Sequence, residues 1–386
     1  MTENQPVRQK KKIALVANSA WSVYNFRLDL IRHLIPRFEV LVIAPSDEFA
    51  AELKKEGCDF LHIQFNNRSE NPFRDYLLFR SLKKIYREQR PDFIFHYVIK
   101  PNIYGSLAAA ACRIESAAVI TGLGYAFARQ NWLNKTVSYL YKRALKQTKE
   151  VWFLNKEDSE IFIQRKLVDT GKIKILPGEG INPAHFAPAP FRPVARTKAF
   201  QFLMSTRLLK SKGVRIYVDA ARILRRKNRD IRFELIGFFE EHHPDSITVG
   251  DIRYWQRKGF IHYSGFAKDV RPFLRQADCL VFPSFYAEGI PRCLMEAASM
   301  EVPIITSLNR GCKEVVEHGV NGYLCAVNDA ADLARKMEDM MNLTASQRAD
   351  MGKRGREKVI EKFDVQKILT VYDETLRHME TLSSQF

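Results

Sequence analysis

Two doubly wound α/β sheets, carried on two domains, are the fold class that this sequence predicts. Three observations point there. Short apolar runs alternate with helical stretches along the whole chain, the pattern of parallel sheets with helical crossovers. The chain has 386 residues, more than one hydrophobic core commonly spans. The alternation is interrupted once, where Pro183, Pro188, Pro190 and Pro193 give a linker composition.

In the first half the apolar runs predict strands at 12–17, 38–44, 60–63, 93–97, 117–121, 151–154 and 173–176. Helices are predicted at 27–34, 48–56, 72–88, 102–112 and 132–146. Gly57 ends the second of these, Pro91 stops the third, and the fourth is Ala-rich. The second half restarts the same grammar, with strands at 200–205, 233–237, 261–265, 280–282, 304–306 and 323–326. Helices are expected between them, at 214–227 among others, and then at 330–341, 346–362 and 365–379. The expected division is 1–185, 186–363 and a final helical segment 364–386. In such sheets ligands sit beyond the strand C-termini, so the two domains are expected to face each other across a cleft.

Composition narrows the function. Hydrophobic residues make up 46% and charged residues 27%, ordinary for a soluble globular protein. No apolar run reaches the roughly 18 to 20 residues that span a bilayer. Residues 1–12 are polar and basic and lack the features of a signal peptide. The six cysteines are scattered without a C-x-x-C pair, so reduced thiols in a cytosolic protein are expected, with no zinc site. The net charge of +17 implies an anionic partner. Zinc-finger spacing and an RNA-recognition strand motif are missing, so nucleic acid is not expected. An anionic membrane surface fits better. From Trp132 to Lys149 the chain mixes Trp132, Leu133, Tyr139 and Tyr141 with Lys135, Lys142, Arg143 and Lys146, as interfacial helices do. A helix packed on the body with a solvated basic face is the plainer reading, and both stay open.

The most informative stretch runs from Phe282 to Ala298. A strand ends in a Pro/Ser loop bearing Glu288, read as an unpaired acid; Gly289 lets the chain turn and Pro291 suits a first helical residue. Glu296 lies further along that helix and leans back toward the same place. A helix N-terminus suits an anion such as a diphosphate. Two carboxylates beside it fit hydroxyl groups, which suggests a nucleotide sugar. Arg207 and Lys212 follow the first strand of the second half and read as a phosphate clamp that stabilises a departing diphosphate. No D-x-D triplet occurs, so no metal and no cofactor are expected beyond the nucleotide-sugar substrate. In the first half, Ser19 and Ser22 lie beyond the first strand, without a G-x-G-x-x-G fingerprint. Lys100 and Asn102 follow one strand and Thr121, Gly122 and Gly124 another; Arg68 is a weaker candidate of the same kind, and His96 reads as structural.

On these residues the chain resembles the retaining glycosyltransferases of family 4, over nearly its whole length. Glu288 and Glu296 match the family's E-x7-E pattern, followed by Gly311, Glu314, Gly319, Asn321 and Gly322 in their usual context. The stretches Lys100 to Gly105 and Thr121 to Gly124 carry a finer likeness to bacterial α-1,3-N-acetylgalactosaminyltransferases acting on polyprenyl-diphosphate-linked glycans. The resemblance implies the GT-B architecture, with an acceptor-binding first domain, a donor-binding second domain and a last helix that crosses back onto the first. It implies transfer of a hexose or N-acetylhexosamine from a UDP-sugar with retention, on the cytoplasmic face of the inner membrane. Glu288 would hold sugar hydroxyls and Glu296 the ribose. Arg207 and Lys212 would hold the diphosphate, with Gly289, Ile290, Pro291, Leu294, Ser19 and Ser22 on the donor. Lys100, Asn102, Thr121, Gly122, Gly124, Arg27 and Arg68 would meet the acceptor. A non-catalytic nucleotide-sugar-binding protein, or an epimerase-like relative on the same fold, is the alternative.

Overall fold

A computed structural model describes residues 10–64, 71–123, 132–188, 199–227, 230–240, 243–286 and 288–381. The chain divides into two compact units, Met1–Glu179 with Gln366–Phe386, and Gly180–Val365.

The first unit is built on seven strands: β1 (Lys12–Val16), β2 (Glu39–Ala44), β3 (Asp59–His62), β4 (Phe93–Tyr97), β5 (Glu115–Ile120), β6 (Glu150–Phe153) and β7 (Ile173–Ile175). Their order is β3-β2-β1-β4-β5-β6-β7 and every pairing is parallel. Central strands of such a sheet are covered on both faces, and so read as continuous apolar runs. Ile13 to Val16 and Phe93 to Phe95 accordingly have no exposed surface. The helices are α1 (Ala20–Leu34), α2 (Phe49–Lys55), α3 (Pro72–Gln89), α4 (Ser106–Ala111, entered through a π-helical turn at Pro101–Gly105), α5 (Trp132–Leu145) and α6 (Lys156–Gln164).

Helix α1 starts at Ala20, well before the expected 27. Ser19 is its N-cap, accepting from the Ser22 N–H at 3.1 Å, and Asp47 accepts from the Trp21 N–H at 2.8 Å. These two oxygens satisfy N–H groups that a helix start leaves bare.

The second unit repeats the plan with β8 (Phe200–Ser205), β9 (Ile231–Ile236), β10 (His262–Tyr263), β11 (Cys279–Phe282), β12 (Ile304–Ser307) and β13 (Gly322–Cys325). The order is β10-β9-β8-β11-β12-β13, again parallel throughout. Phe202 and Met204 enter one apolar cluster and Leu203 another, the period-two split of a strand buried on both faces. Its helices are α7 (Val214–Arg225), α8 (Val249–Arg257), α9 (Arg271–Gln276), α10 (Arg292–Ser299), α11 (Arg310–Val315), α12 (Ala330–Asn342) and α13 (Ala345–Phe363).

The break between units precedes the expected 185/186. Ile181 and Phe186 are buried in the core of the second unit, and Ile181 exchanges backbone hydrogen bonds with Phe363 and Val365, both at 2.9 Å. Residues 180–185 therefore belong to the second body. The final helix, α14 (Val365–Thr381), packs on the first unit. Tyr372 Oη lies 2.8 Å from Tyr97 Oη and its ring stands edge-on to Trp152. Asp373 meets His33 at 2.9 Å and also Arg37.

Candidate active site

In the second unit the strand order reverses between β8 and β11, the switch point where doubly wound sheets hold ligands. The β8–α7 and β11–α10 connections meet there. Gly213 has φ of +83°, and a Cβ on it would lie 2.1 Å from the Pro283 carbonyl oxygen. Only glycine permits both that backbone and that approach. The Ser211 carbonyl accepts from the N–H groups of Phe285 at 2.9 Å and Tyr286 at 3.2 Å, joining the two loops.

This junction brings Lys212 onto Glu288. Lys212 Nζ donates to the two carboxylate oxygens at 2.6 and 2.8 Å, and each side chain is only 10% exposed. Ser284, fully buried, donates through Oγ to Glu288 Oε1 at 2.7 Å and lies 3.2 Å from the Ser211 carbonyl. The Tyr286 ring centroid stands 4.9 Å from Lys212 Nζ. Glu288 is thus not the unpaired acid expected from the sequence. An isolated carboxylate so nearly dry would be costly, and the loop bonds supply its cation. The expected clamp is also divided. Arg207 turns to Glu240, with Nη1 3.3 Å from both carboxylate oxygens, while Lys212 serves Glu288.

Pro291 is the N-cap of α10, one residue ahead of the helix. Glu296 accepts from Arg292 Nε at 2.9 Å. Burial raises its pKa above the ordinary carboxylate value, with Arg292 opposing the shift. Burial also pushes the Cys293 thiol well up, and the carboxylates of Glu296 and Glu288 push it further. Leu294, expected at the donor, is fully buried in the core and serves packing; Ile290 is nearly so.

Sequence reasoning missed Asn309. Its Nδ2 donates to the Ser284 carbonyl at 3.3 Å and to the Tyr286 carbonyl, while its Oδ1 caps α11 through the Arg310 N–H at 2.8 Å. Two residues on, a Cβ on Gly311 would sit 1.5 Å from the Gly289 carbonyl oxygen. The start of α11 therefore shapes the Glu288 loop. The signal available in the sequence was Asn-x-Gly directly after a strand. Ser284, Glu240 and Arg292 were missed too, because each is defined by its partner.

The first-unit candidates mostly serve the fold. Arg27 is buried and bonds Glu179 at 2.7 Å, with its guanidinium 3.9 Å from the Tyr97 ring centroid. Asn102 is fully buried and donates to the Val119 carbonyl at 3.0 Å. Lys100 Nζ lies 2.6 Å from Asp75 and is 11% exposed. Their side chains are spent on internal partners, which corrects the expectation that they reach an acceptor. Ser19 and Ser22 form a helix start rather than an open loop, with Ser22 Oγ donating to the Ser19 carbonyl at 2.8 Å. Thr121 and Gly122 stay half-buried at the end of β5, whereas Gly124 and Arg68 lie outside the described residues. His96 is fully buried, 2.9 Å from Tyr86 Oη, and burial lowers its pKa to about 3; it is structural. In α5, Tyr141, Ala144 and Leu145 face the core, while Lys135, Lys142 and Arg143, and Lys146 just after it, are exposed. Among the described residues no group of three or more His, Cys, Asp or Glu comes together to hold a metal, and no helix is long and apolar enough to cross a membrane.

Two doubly wound parallel sheets, with an E-x7-E helix and a buried lysine at the switch point of the second, define a glycosyltransferase of the GT-B class. Residues 188–358 match the family of glycosyl transferases group 1, and residues 12–155 match the glycosyl transferase 4-like family. The chain thus carries a glycosyl transferases group 1 domain and a glycosyl transferase 4-like domain. It is 27% identical to an N,N'-diacetylbacillosaminyl-diphospho-undecaprenol alpha-1,3-N-acetylgalactosaminyltransferase of Campylobacter jejuni, over 95% of this chain and 100% of that one. It is also 27% identical to a UDP-Gal:alpha-D-GlcNAc-diphosphoundecaprenol alpha-1,3-galactosyltransferase of Escherichia coli, over 74% of this chain and 75% of that one. Among solved structures, Anabaena Alr3699/HepE in complex with UDP and glucose shares the fold, with a TM-score of 0.79 at 19% identity, covering 95% and 100% of the two chains.

Proposed function

We propose that this enzyme moves a hexose or N-acetylhexosamine from a UDP-sugar to a polyprenyl-diphosphate-linked glycan, with retention at the anomeric carbon, in bacterial surface-glycan assembly. The observation that carries the reading is the Lys212–Glu288 pair at the switch point. The carboxylate occupies the lysine where a phosphate of the donor would lie. A diphosphate at Lys212 releases Glu288, which then accepts hydrogen bonds from sugar hydroxyls. Arg207 and the start of α10 add positive charge beside the diphosphate. Glu296 accepts from ribose hydroxyls.

In the reaction the acceptor hydroxyl oxygen bonds the anomeric carbon as the bond from that carbon to the phosphate oxygen breaks. The bonding pair stays on the phosphate oxygen, and the acceptor proton passes to the same oxygen. Lys212 and Arg207 stabilise the charge that develops there. No metal is assigned to this step, in keeping with the missing D-x-D triplet. The relatives' names support the lipid-linked acceptor and the UDP donor. On this reading the enzyme works as a peripheral protein on the cytoplasmic face of the inner membrane.

The test is turnover of radiolabelled UDP-sugars with a lipid-diphosphate acceptor, and the anomeric configuration of the product by NMR. Loss of transfer in both Glu288→Ala and Lys212→Ala is expected. Wild-type turnover in both variants, or an inverted product, overturns the proposal.

A further inference from the structure

Helix α3 has a face that the fold leaves uncovered. Its inner stripe, Leu78, Leu82 and Tyr86, is buried in the first unit. On the opposite side Phe73, Leu77, Arg80, Lys84 and Arg87 recur at helical spacing, with Tyr76 beside them. Phe73 is 67% exposed, Tyr76 52% and Leu77 46%, so the first turns hold large apolar side chains in water. The remaining turns present exposed cations at Arg80, Lys84 and Arg87. Opposing charge is slight. Glu88 stands 3.8 Å from Lys84 in an exposed pair, and Asp75 is turned to Lys100 and Tyr104. A depression of about 460 Å³ lies along this face, with Tyr76, Arg80, Lys83 and Arg87 in its walls.

An apolar end followed by a basic run on one face matches a bilayer surface: the first enters the headgroup boundary and the second meets anionic phosphates. A nucleic acid would use the cations and can stack a base on Phe73, but it offers no partner to the aliphatic Leu77. Among the described side chains of α5, Tyr139 is the large apolar one left exposed, whereas α3 presents Phe73, Tyr76 and Leu77. We infer that the outer face of α3 docks the enzyme on a bilayer carrying anionic phospholipid headgroups, an inference that rests on the proposed lipid-linked acceptor.

The experiment is co-sedimentation of the full chain with vesicles of phosphatidylcholine alone and of equal parts phosphatidylcholine and phosphatidylglycerol. Binding to the mixed vesicles only, weakening with salt, is expected. The variant carrying Arg80→Glu, Lys84→Glu and Arg87→Glu should weaken partitioning on the order of a hundredfold. The variant carrying Phe73→Ser and Leu77→Ser should weaken it at constant charge. Both sets of positions are exposed, and circular dichroism checks that the variants fold. The inference is overturned if these variants sediment like wild type, or if Lys142→Glu with Arg143→Glu on α5 abolishes binding instead. Wild type that ignores both vesicles but retards an oligonucleotide also overturns it. Wild-type transfer to a water-soluble, short-chain lipid-diphosphate acceptor is measured in parallel. Its absence counts against the proposed reaction, whereas vesicle binding is read independently of it.

Discussion

Both units of this enzyme hold nearly buried cation–carboxylate pairs, and two of these pairs, Lys212–Glu288 and Arg27–Glu179, differ in what surrounds them. Lys212–Glu288 sits where two loops meet beyond β8 and β11, beside buried Ser284 and the start of α10. Arg27–Glu179 joins α1 to the segment after β7, and the Tyr97 ring covers the guanidinium. Burial raises the Tyr97 hydroxyl to about 12, so that cover stays neutral. The first pair is lined by groups that can exchange partners with a phosphorylated sugar. The second is enclosed by aromatic side chains. On the proposed reading, chemically similar pairs do opposite work: one holds a place for a ligand, the other holds the chain together.

The largest effect expected from breaking this contrast is at Lys212. Lys212→Ala should lower turnover about 10²–10³-fold. It should also cost about 3–5 kcal/mol of stability, because Glu288 is left buried without its cation. Urea unfolding and turnover read the two effects separately. Combining Lys212→Met with Glu288→Gln should restore stability and leave the enzyme inactive. Recovery of both would show that the pair is scaffold only.

Arg27→Met comes next. It should cost about 3–5 kcal/mol through the abandoned Glu179, while kcat/KM per folded molecule stays near wild type. Lost turnover at unchanged Tm would place Arg27 on a substrate and erase the contrast.

A smaller effect is expected at His96. Its folded pKa is about 3, against about 6.5 in the unfolded chain. Between these values the unfolded chain takes up a proton that the folded chain refuses, so stability falls as pH falls through that window. The slope is at most about 1.4 kcal/mol per pH unit. His96→Gln should remove it, which pH-dependent denaturation measures. An unchanged slope would assign the acid sensitivity elsewhere. Smallest is Ser284→Ala, which should cost about 1 kcal/mol of stability and loosen UDP-sugar binding several-fold by calorimetry. Unaltered UDP-sugar affinity would show that this hydroxyl does not position Glu288.

The fold was open to reading because the central strands are covered on both faces and so appear as apolar runs. All thirteen described strands fall within a few residues of their expected places. Helix α1 was read too short, since its first turns are polar and aromatic and its start is set by oxygens of Ser19 and Asp47. In the site, Glu288, Glu296, Arg207 and Lys212 were legible as residue types at strand ends. Their partners were not. Lys212 and Glu288 are 76 positions apart, and Arg27 and Glu179 are 152 apart. Which charges meet is decided by loop contacts, such as Gly213 against Pro283, that no local pattern encodes. The internal partners of three acceptor-side candidates were hidden for the same reason. Lys100, Asn102 and Arg27 looked available until the fold supplied Asp75, the Val119 carbonyl and Glu179.

Ser284 Oγ carries one proton and has two oxygens in reach, Glu288 Oε1 and the Ser211 carbonyl. Rotation about a single bond moves that proton from one to the other. On the proposed reading, when Glu288 turns to a sugar, the hydroxyl swings to the backbone that carries Lys212. The carboxylate then departs without stranding a buried donor, and the lysine loop gains a hydrogen bond when the diphosphate needs it still.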